Sequence, residues 1–286
     1  MAASAVGYGL ALSCRGAYAA AGGLNGLSED FAALEAGSGG RLGIAVLHGG
    51  SGAGHRADER FPMCSTFKLL AAAAVLKRVD DGNEKLDRRV KFEASDVVVY
   101  SPITKEHAGG EGMTLAELCT AAMTLSDNTA GNLILASLGG PRALTDYARS
   151  LGDAVTRLDR IEPGLNEALP DDPRDTTTPA AMLKNIKALV LGHALSERSK
   201  EQLIAWLVGN KTGDARLRAG FPAGWRVGDK TGSGEHGTTN DVGVAWPPQS
   251  APILIAIYLT GTTASAEARN RTIAAVGSAI AARLRG

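Results

Sequence analysis

The strand signals of this sequence lie near its two ends, and a long block of helical pattern separates them. A run at 41–47 predicts one strand, and three short β-type runs predict three more, at 225–230, 241–246 and 253–259. The residues from about 65 to 209 follow helical periodicity instead. This order favours a sheet assembled from both ends of the chain, with helices inserted between them.

The expected fold class is therefore α/β of the α+β kind, with two domains. Residues 22–60 and 211–286 are predicted to form a discontinuous α/β domain. Residues 61–210 are predicted to form an all-α domain. Its 157–175 segment holds three prolines and a glycine, which excludes regular structure, and a loop of that length in a compact domain is usually functional.

Local signals place several further elements. Helices are predicted near both ends of the chain, at 27–34 and 265–284, and a glycine-rich turn at 49–52. The capping box that starts at Thr114 predicts the start of one helix. Thr178 followed by a proline predicts the start of another, which runs to Leu191.

Composition excludes several classes of function. The 286 residues include 30 Lys+Arg and 30 Asp+Glu, and this balance gives no support for a nucleic-acid partner. The three cysteines are too scattered for a disulfide framework or a metal site. The five histidines are isolated from one another, so a zinc hydrolase is not expected, and neither a metal nor another cofactor is predicted.

The first 21 residues resemble an export signal. They are small and apolar, and Ala17-Tyr18-Ala19 is typical of a cleavage site. No lysine or arginine precedes Arg15, however, so the usual positive start is missing. The alternative is a disordered tail rich in alanine and glycine. No apolar stretch reaches membrane-spanning length, and a periplasmic or secreted protein without a membrane span is expected.

Ser65 and Lys68 form a candidate nucleophile with its base. Residues three apart on a helix share a face, and a serine hydroxyl needs a nearby base before it can attack a carbonyl. The apolar run after Lys68 indicates that the helix is buried. By itself the spacing is weak evidence, because an ordinary N-capped helix with a surface lysine gives the same pattern.

Three other segments carry residues of the same chemistry. Ser126-Asp127-Asn128 interrupts an apolar helical region and either lines a polar cavity or forms a solvated turn. Glu162 lies in the proline-rich loop, where a carboxylate can position a water molecule or simply face solvent. Lys230-Thr231-Gly232-Ser233 ends a strand and can bind a carboxylate or complete an oxyanion hole.

Together the four segments resemble the class A serine β-lactamases, of the penicillin-recognising serine enzyme superfamily, in order and spacing. The resemblance extends from about residue 25 to 286. It implies an antiparallel sheet with an inserted helical domain, a β-lactamase/transpeptidase-like fold, a monomer, and small β-lactam substrates. The motifs that carry it are Ser65-Thr66-Phe67-Lys68, Ser126-Asp127-Asn128, Glu162-Pro163-Gly164-Leu165-Asn166 and Lys230-Thr231-Gly232.

The resemblance also implies a role for each residue. Ser65 would be acylated, with Lys68 or Glu162 as the base, and the backbone N–H groups of Ser65 and Ser233 would hold the oxyanion. Ser126 would pass a proton to the lactam nitrogen. Glu162 with Asn166 would position the deacylating water. The implied substrate-binding residues are Tyr100, Asn128, Arg216, Lys230, Thr231, Gly232 and Ser233.

Some positions depart from the pattern of the family. Many members have an arginine where this chain has Thr239, and we expect Arg216 to replace it, with Arg271 as a weaker candidate. Some relatives pair a cysteine at the position of Cys64 with a second one, but Gly234 stands at the partner position, so Cys64 is expected to be a buried free thiol.

The ends of the loop are expected to be joined by an ion pair between Arg160 and Asp175. The resemblance further implies that the Glu162–Pro163 peptide bond is cis. Two alternatives remain for the function: a penicillin-binding DD-peptidase, and a sensor domain that is acylated and stays acylated. Both should lack a competent Glu162, which favours the hydrolase.

Overall fold

The computed structural model describes residues 23–285. Its strands within that range are β1 Arg41–His48, β2 Ser51–His55, β3 Phe61–Pro62, β4 Arg89–Val90, β5 Met113–Thr114, β6 Thr176–Thr177, β7 Arg226–Ser233, β8 Thr239–Trp246 and β9 Ile253–Thr260. Five of these described strands form an antiparallel sheet in the order β2-β1-β9-β8-β7. The prediction of a mixed α/β fold whose sheet comes from both ends of the chain is confirmed.

Helices cover the sheet and fill the middle of the chain. Their bounds in the described range are α1 Leu27–Ser38, α2 Phe67–Asp80, α3 Leu115–Thr124, α4 Asn128–Leu138, α5 Pro141–Ser150, α6 Pro179–Ile186, α7 Glu197–Val208, α8 Leu217–Gly220 and α9 Ala266–Arg285. The helices predicted at 27–34 and 265–284 correspond to α1 and α9. The proposed domain boundaries near residues 60 and 210 remain predictions.

Strand β9 lies at the centre of the sheet and is buried on both faces along its whole length. Leu254, Ala256 and Tyr258 pack against the helical block, whereas the residues between them pack against the layer formed by α1 and α9. This alternation follows from the two-residue repeat of a strand. Full burial of one such aliphatic side chain contributes about 1.5–3 kcal/mol.

Helix α2 is the central helix of the inserted block. Every residue from Phe67 to Leu76 is buried, as the apolar run predicted. A helix that is apolar all round is held by neighbours on every side. The segment just before it is thereby fixed with respect to the sheet.

The predicted helix starts at Thr114 and Thr178 are confirmed. Thr114 forms a reciprocal capping box with Glu117, and the Thr178 hydroxyl accepts the N–H of Ala181. The prediction that this second helix runs regularly to Leu191 is wrong. α6 ends at Ile186, and residues 187–191 form a π-helical turn because the Gly192 N–H bonds the Lys187 carbonyl, five residues earlier.

The glycine-rich segment at 49–52 was predicted to be a turn, and only half of it is. Gly49 and Gly50, with φ of 54° and 89°, form a two-residue hairpin turn, and Ser51 begins β2 opposite His48. The sequence does not predict this strand, because Ser51–His55 contains no Val, Ile, Thr, Phe, Tyr or Trp. Pairing with β1 at the edge of the sheet is enough to hold it.

The predicted export signal at residues 1–21 lies outside the described residues. Among the helices between residues 23 and 285, none has both the length and the apolar character needed to cross a bilayer.

Candidate active site

The predicted nucleophile lies where a short 3-10 turn, Cys64–Thr66, leads into α2. Cys64 has a φ of 45°, in the left-handed region that a non-glycine residue adopts only under strain. The three-residue spacing brings Lys68 Nζ to 2.9 Å from Ser65 Oγ. Ser65 retains 7% exposure, which leaves its hydroxyl accessible to a small ligand.

The Lys68 ammonium is buried among polar groups. Burial lowers its pKa, and the nearby Glu162 carboxylate opposes that effect. An ammonium carries three protons, fewer than the acceptors around it, so one acceptor goes without a proton at any moment. The acceptors within 3.0 Å of Nζ are Ser65 Oγ, Ser126 O, Asn128 Oδ1 and Glu162 Oε1.

Glu162 is the second group within reach of the nucleophile. Its Oε1 accepts a hydrogen bond from Ser65 Oγ at 3.1 Å. Its Oε2 accepts one from Asn166 Nδ2 at 2.5 Å. The carboxylate is 1% exposed. Two groups able to take the proton of this hydroxyl, Glu162 and the neutral amine form of Lys68, therefore contact it from different elements of the fold.

The ends of the loop that carries Glu162 are tied together. Arg160 Nε donates to Asp175 Oδ2 at 2.6 Å, and the backbone N–H groups of Asp159 and Arg160 donate to Asp175 Oδ1 at 2.7 and 2.9 Å. The N–H of Met63 donates to the Asp175 carbonyl at 2.9 Å. The loop is thus joined to the segment that precedes Ser65. The Glu162–Pro163 peptide is cis, as the resemblance implied.

A residue that the sequence analysis missed holds the backbone of Glu162. Asn132 Nδ2 donates to the Glu162 carbonyl at 2.9 Å, and the Glu162 N–H donates to Asn132 Oδ1 at 2.8 Å. Asn132 follows Asn128 by one helical turn on α4. Its spacing on the same face was the one signal in the sequence that could have revealed it.

Ser126 lies between two lysines. Lys230 Nζ donates to Ser126 Oγ at 3.0 Å, and Lys68 Nζ lies 3.5 Å from the same oxygen. Burial lowers the pKa of Lys230 well below its ordinary value, and the positive charge of Lys68 lowers it further. Ser126 itself has a φ of 59° at the junction of α3 and α4. The Ser-Asp-Asn segment is thus both a turn between helices and one wall of a polar site.

Beyond Lys230, the guanidinium of Arg216 borders the end of β7. It donates to Ser233 Oγ at 2.7 Å, to the Gly232 carbonyl at 2.8 Å and to Asn270 Oδ1 at 2.9 Å. Burial lowers its pKa, while buried carboxylates farther away raise it. Among the described residues, no carboxylate lies within 4.0 Å of Arg216, so its charge has no direct counter-ion. Thr231 is buried beside Thr212.

The weaker candidate for this cation, Arg271, makes no hydrogen bond or ion pair with the residues around Arg216 in the described range. Arg271 is exposed on α9. Arg269, two residues earlier on that helix, donates instead to Thr239 Oγ1 at 2.9 Å. Residues two apart on a helix point about 200° apart, and only the packing of α9 on the sheet decides which one faces the site.

Gly232 allows β7 to approach the nucleophile's turn. A Cβ at this position would lie 2.8 Å from the Met63 carbonyl oxygen and 3.2 Å from Thr66 Cγ2. The absence of a side chain therefore sets the short distance between the end of β7 and the 3-10 turn. The two expected oxyanion donors, the backbone N–H groups of Ser65 and Ser233, belong to these two segments.

Tyr100 and Asn128 lie on the opposite rim. Tyr100 is 58% exposed with a φ of 61°, and its carbonyl accepts the N–H of Asn128 at 3.0 Å. Asn128 Nδ2 donates to the Val99 carbonyl at 2.9 Å. The side chain of Asn128 therefore links the rim loop to Lys68, and its expected contact with a substrate remains a prediction.

Cys64 is a buried free thiol, as expected. Burial raises its pKa, so the unreactive thiol form is favoured. A Cβ at Gly234 would lie only 2.7 Å from Cys64 Sγ and 2.7 Å from the Asn166 carbonyl oxygen. The glycine thus lets β7, the thiol and the loop pack together.

Neither metal ligation nor cavity size identifies this site. Between residues 23 and 285, no three His, Cys, Asp or Glu side chains are grouped so that they could hold a metal ion. Two depressions, of about 610 and 730 Å³, lie outside the site, and neither is lined by Ser65, Lys68 or Glu162. The convergence of buried polar groups on Ser65 distinguishes the site instead.

Known proteins are similar to this chain in sequence and in fold. A model of the Beta-lactamase enzyme family matches residues 26–284. The chain is 51% identical to Beta-lactamase CTX-M-97 of Escherichia coli over 90% of this chain and 88% of that protein. It is 48% identical to Beta-lactamase OXY-1 of Klebsiella oxytoca over 89% and 88%. The solved structure described as Ancestral (GNCA) Beta-lactamase class A matches with a TM-score of 0.88 and 63% identity, over 89% of this chain and 98% of that one.

Proposed function

Because the chain belongs to the β-lactamase enzyme family, as a class A member, we propose that it hydrolyses the β-lactam amide bond of penicillins and cephalosporins and so confers antibiotic resistance. The observation that carries the mechanism is the placement of Ser65 Oγ, 2.9 Å from Lys68 Nζ and 3.1 Å from Glu162 Oε1. A serine between two proton acceptors suits a reaction with separate acylation and deacylation steps.

In the acylation step, Ser65 Oγ bonds to the lactam carbonyl carbon as its proton passes to Lys68 or Glu162. The oxyanion that forms is held by the N–H groups of Ser65 and Ser233, at the segments that Gly232 lets approach. The carbon–nitrogen bond then breaks, the ring nitrogen takes a proton from Ser126 Oγ, and Ser126 regains one through Lys68, which passes on the proton that left Ser65. Lys230 and Lys68, on either side of that hydroxyl, stabilise its transient loss of the proton.

In the deacylation step, Glu162 takes a proton from a water molecule whose oxygen attacks the ester carbon. The bond to Ser65 Oγ breaks, and Glu162 returns the proton that it took from water to the serine oxygen. Asn166 and Asn132 support this role, since the first donates to the carboxylate and the second holds the backbone of Glu162 through two hydrogen bonds. A DD-peptidase or a non-hydrolytic sensor has no need of a carboxylate fixed in this way.

The carboxylate of the substrate is the proposed counter-ion of Arg216, beside Lys230, Thr231 and Ser233. The support is the half-buried guanidinium, which has no carboxylate within 4.0 Å among the described residues. Arg216→Ala should lower kcat/KM by an amount that corresponds to about 1–3 kcal/mol of lost transition-state stabilisation, the usual contribution of a charged hydrogen bond. An unchanged value would move the assignment to Arg269.

A chromogenic cephalosporin tests the proposal directly. Wild-type protein should hydrolyse it, and Ser65→Ala should neither hydrolyse it nor form a covalent adduct. No turnover by the wild type contradicts the enzymatic function. Turnover by Ser65→Ala contradicts the assignment of the nucleophile.

We also propose that the protein is exported and acts as a monomer. Export is supported by the small, apolar residues of positions 1–21. A monomer is supported by the site, whose residues all come from a single chain. N-terminal sequencing of protein from the periplasm and light scattering of purified protein test the two proposals separately.

A further inference from the structure

Thr212 lies behind the carboxylate-binding end of β7, in a segment that packs directly on Asp229. A Cβ on the neighbouring Gly213 would lie 1.8 Å from Asp229 Oδ2, so a side chain is excluded there. Asp229 is buried and paired with Arg218 Nε at 2.6 Å. Asn210 Nδ2 donates to Asp229 Oδ2 at 2.9 Å. Because a carboxylate only accepts hydrogen bonds, this contact fixes which end of the Asn210 amide faces Thr212.

The oxygen of the Asn210 amide therefore faces Thr212. Asn210 Oδ1 lies 3.0 Å from the Thr212 N–H and 2.8 Å from Thr212 Oγ1. An amide oxygen carries no proton, so the Thr212 hydroxyl donates in this contact. Its single proton is then committed.

Thr212 Oγ1 also lies 2.5 Å from Thr231 Oγ1. With its own proton donated to Asn210, Thr212 can only accept in this bond, and Thr231 must donate. The proton of Thr231 therefore points towards Thr212. Only a lone pair of Thr231 remains for a ligand in the pocket.

This orientation is unsuited to a bound carboxylate, which also offers only lone pairs. Ser233 is different, because its oxygen already accepts from Arg216 at 2.7 Å and its proton is free for a ligand. When Thr231 donates to a carboxylate, its own buried oxygen stays paired within the protein only if Thr212 supplies a proton in return. Thr212 can do so without leaving Asn210 Oδ1 unpaired, because that oxygen still accepts the Thr212 N–H.

We propose that Thr212 is a positioning residue whose hydroxyl proton turns from Asn210 to Thr231 when a carboxylate-bearing substrate binds. The proposal rests on the function proposed above and adds a determinant of preference for substrates with a free carboxylate. The two hydroxyl rotations give up the hydrogen bond from Thr212 Oγ1 to Asn210 and reverse the one between Thr212 and Thr231, with no covalent bond broken and no net proton transfer. Thr212 touches Thr231 and not the substrate.

The test compares benzylpenicillin with its methyl ester on wild type, Thr212→Val and Thr212→Ser. Thr212→Val removes the hydroxyl at nearly constant volume, and KM for the free acid should rise about tenfold while kcat changes less than about twofold. KM for the ester should change little, because an ester cannot draw the same charged hydrogen bond. Thr212→Ser keeps a hydroxyl, so the ratio of its KM for the free acid to its KM for the ester should equal that of the wild type.

Thr272→Val is the matched control, since the Thr272 hydroxyl bonds only the Ala268 carbonyl on α9. If Thr212→Val is unstable, comparison of Thr212→Ser with the control still measures whether a hydroxyl at position 212 is enough to keep the wild-type KM for the free acid. Equal changes in KM for acid and ester, or no change for either, would contradict the role of Thr212. The proposed function would still hold in that case, provided that the wild type turns over benzylpenicillin. No turnover of benzylpenicillin by the wild type contradicts the proposed function itself.

Discussion

The substitution Asn132→Ala tests whether the position of Glu162 depends on one side chain of α4. It deletes both the donor to the Glu162 carbonyl and the acceptor of the Glu162 N–H, which lie at 2.9 and 2.8 Å. Each lost bond is worth about 0.5–1.5 kcal/mol, and a dry unpaired group costs about 1–3 kcal/mol. Because Asn132 is half-buried, water replaces part of the loss, and we expect a total of about 2 kcal/mol.

Asn132→Ala should slow deacylation much more than acylation. Lys68 lies on α2, whose first ten residues are all buried, and Ser65 lies in the buried 3-10 turn that leads into it, so acylation should change little. Deacylation should fall by about tenfold or more, because 1.4 kcal/mol of lost positioning is a factor of ten in rate. Urea unfolding measures the stability, and quenched-flow mass spectrometry measures the two rates.

Ser137→Ala is a matched control on the same helix, since its hydroxyl bonds only the Ile134 carbonyl. It should change neither rate. A fall in the stability of Asn132→Ala with an unchanged deacylation rate would refute the reasoning, because the bridge would then support the fold without placing Glu162.

Three further predictions concern the loop and the fold. Asp175→Asn removes the charge that pairs with Arg160 at 2.6 Å and should lower unfolding stability by about 3–5 kcal/mol, measured by urea unfolding, while an unchanged midpoint would contradict the bracing role. Burial raises the pKa of Glu35, but hydrogen bonds from a neighbouring arginine and histidine outweigh it and lower the pKa to about 2 from 4.5. Its contribution to stability is therefore present above pH 4.5 and lost as the pH falls towards 2, and Glu35→Gln should flatten that part of a stability–pH curve. Gly234→Ala places a Cβ 2.7 Å from the Asn166 carbonyl oxygen and should slow deacylation in the same quenched-flow assay, whereas a wild-type rate would show that the loop yields freely.

Most of the architecture could be predicted from local patterns. Apolar β-type runs predict the strands near the end of the chain, and an unbroken apolar run predicts α2. Strand β2 could not be predicted, because its residues have little preference for extended structure and only the hairpin with β1 holds them. The π-helical end of α6 likewise has no local signal.

Within the site, motifs predicted the residues that react but not those that hold them. Ser65, Lys68 and Glu162 carry distinctive residue types at distinctive spacings. Asn132 and Thr212 are ordinary polar residues whose importance depends on contacts across the chain, with Glu162 and Thr231 respectively. Such contacts form only when distant parts of the chain pack together, and apart from the one-turn spacing of Asn132 from Asn128 the sequence carries no signal for them.

The central claim is that Ser65 is acylated and that Glu162 releases the acyl group. Intact-mass spectrometry of wild type and Glu162→Gln, quenched at intervals after mixing with benzylpenicillin, tests it most directly. The account predicts a covalent adduct of one β-lactam that persists in Glu162→Gln, clears rapidly in the wild type and never forms in Ser65→Ala. Clearance of the Glu162→Gln adduct at the wild-type rate, or an adduct in Ser65→Ala, would contradict it.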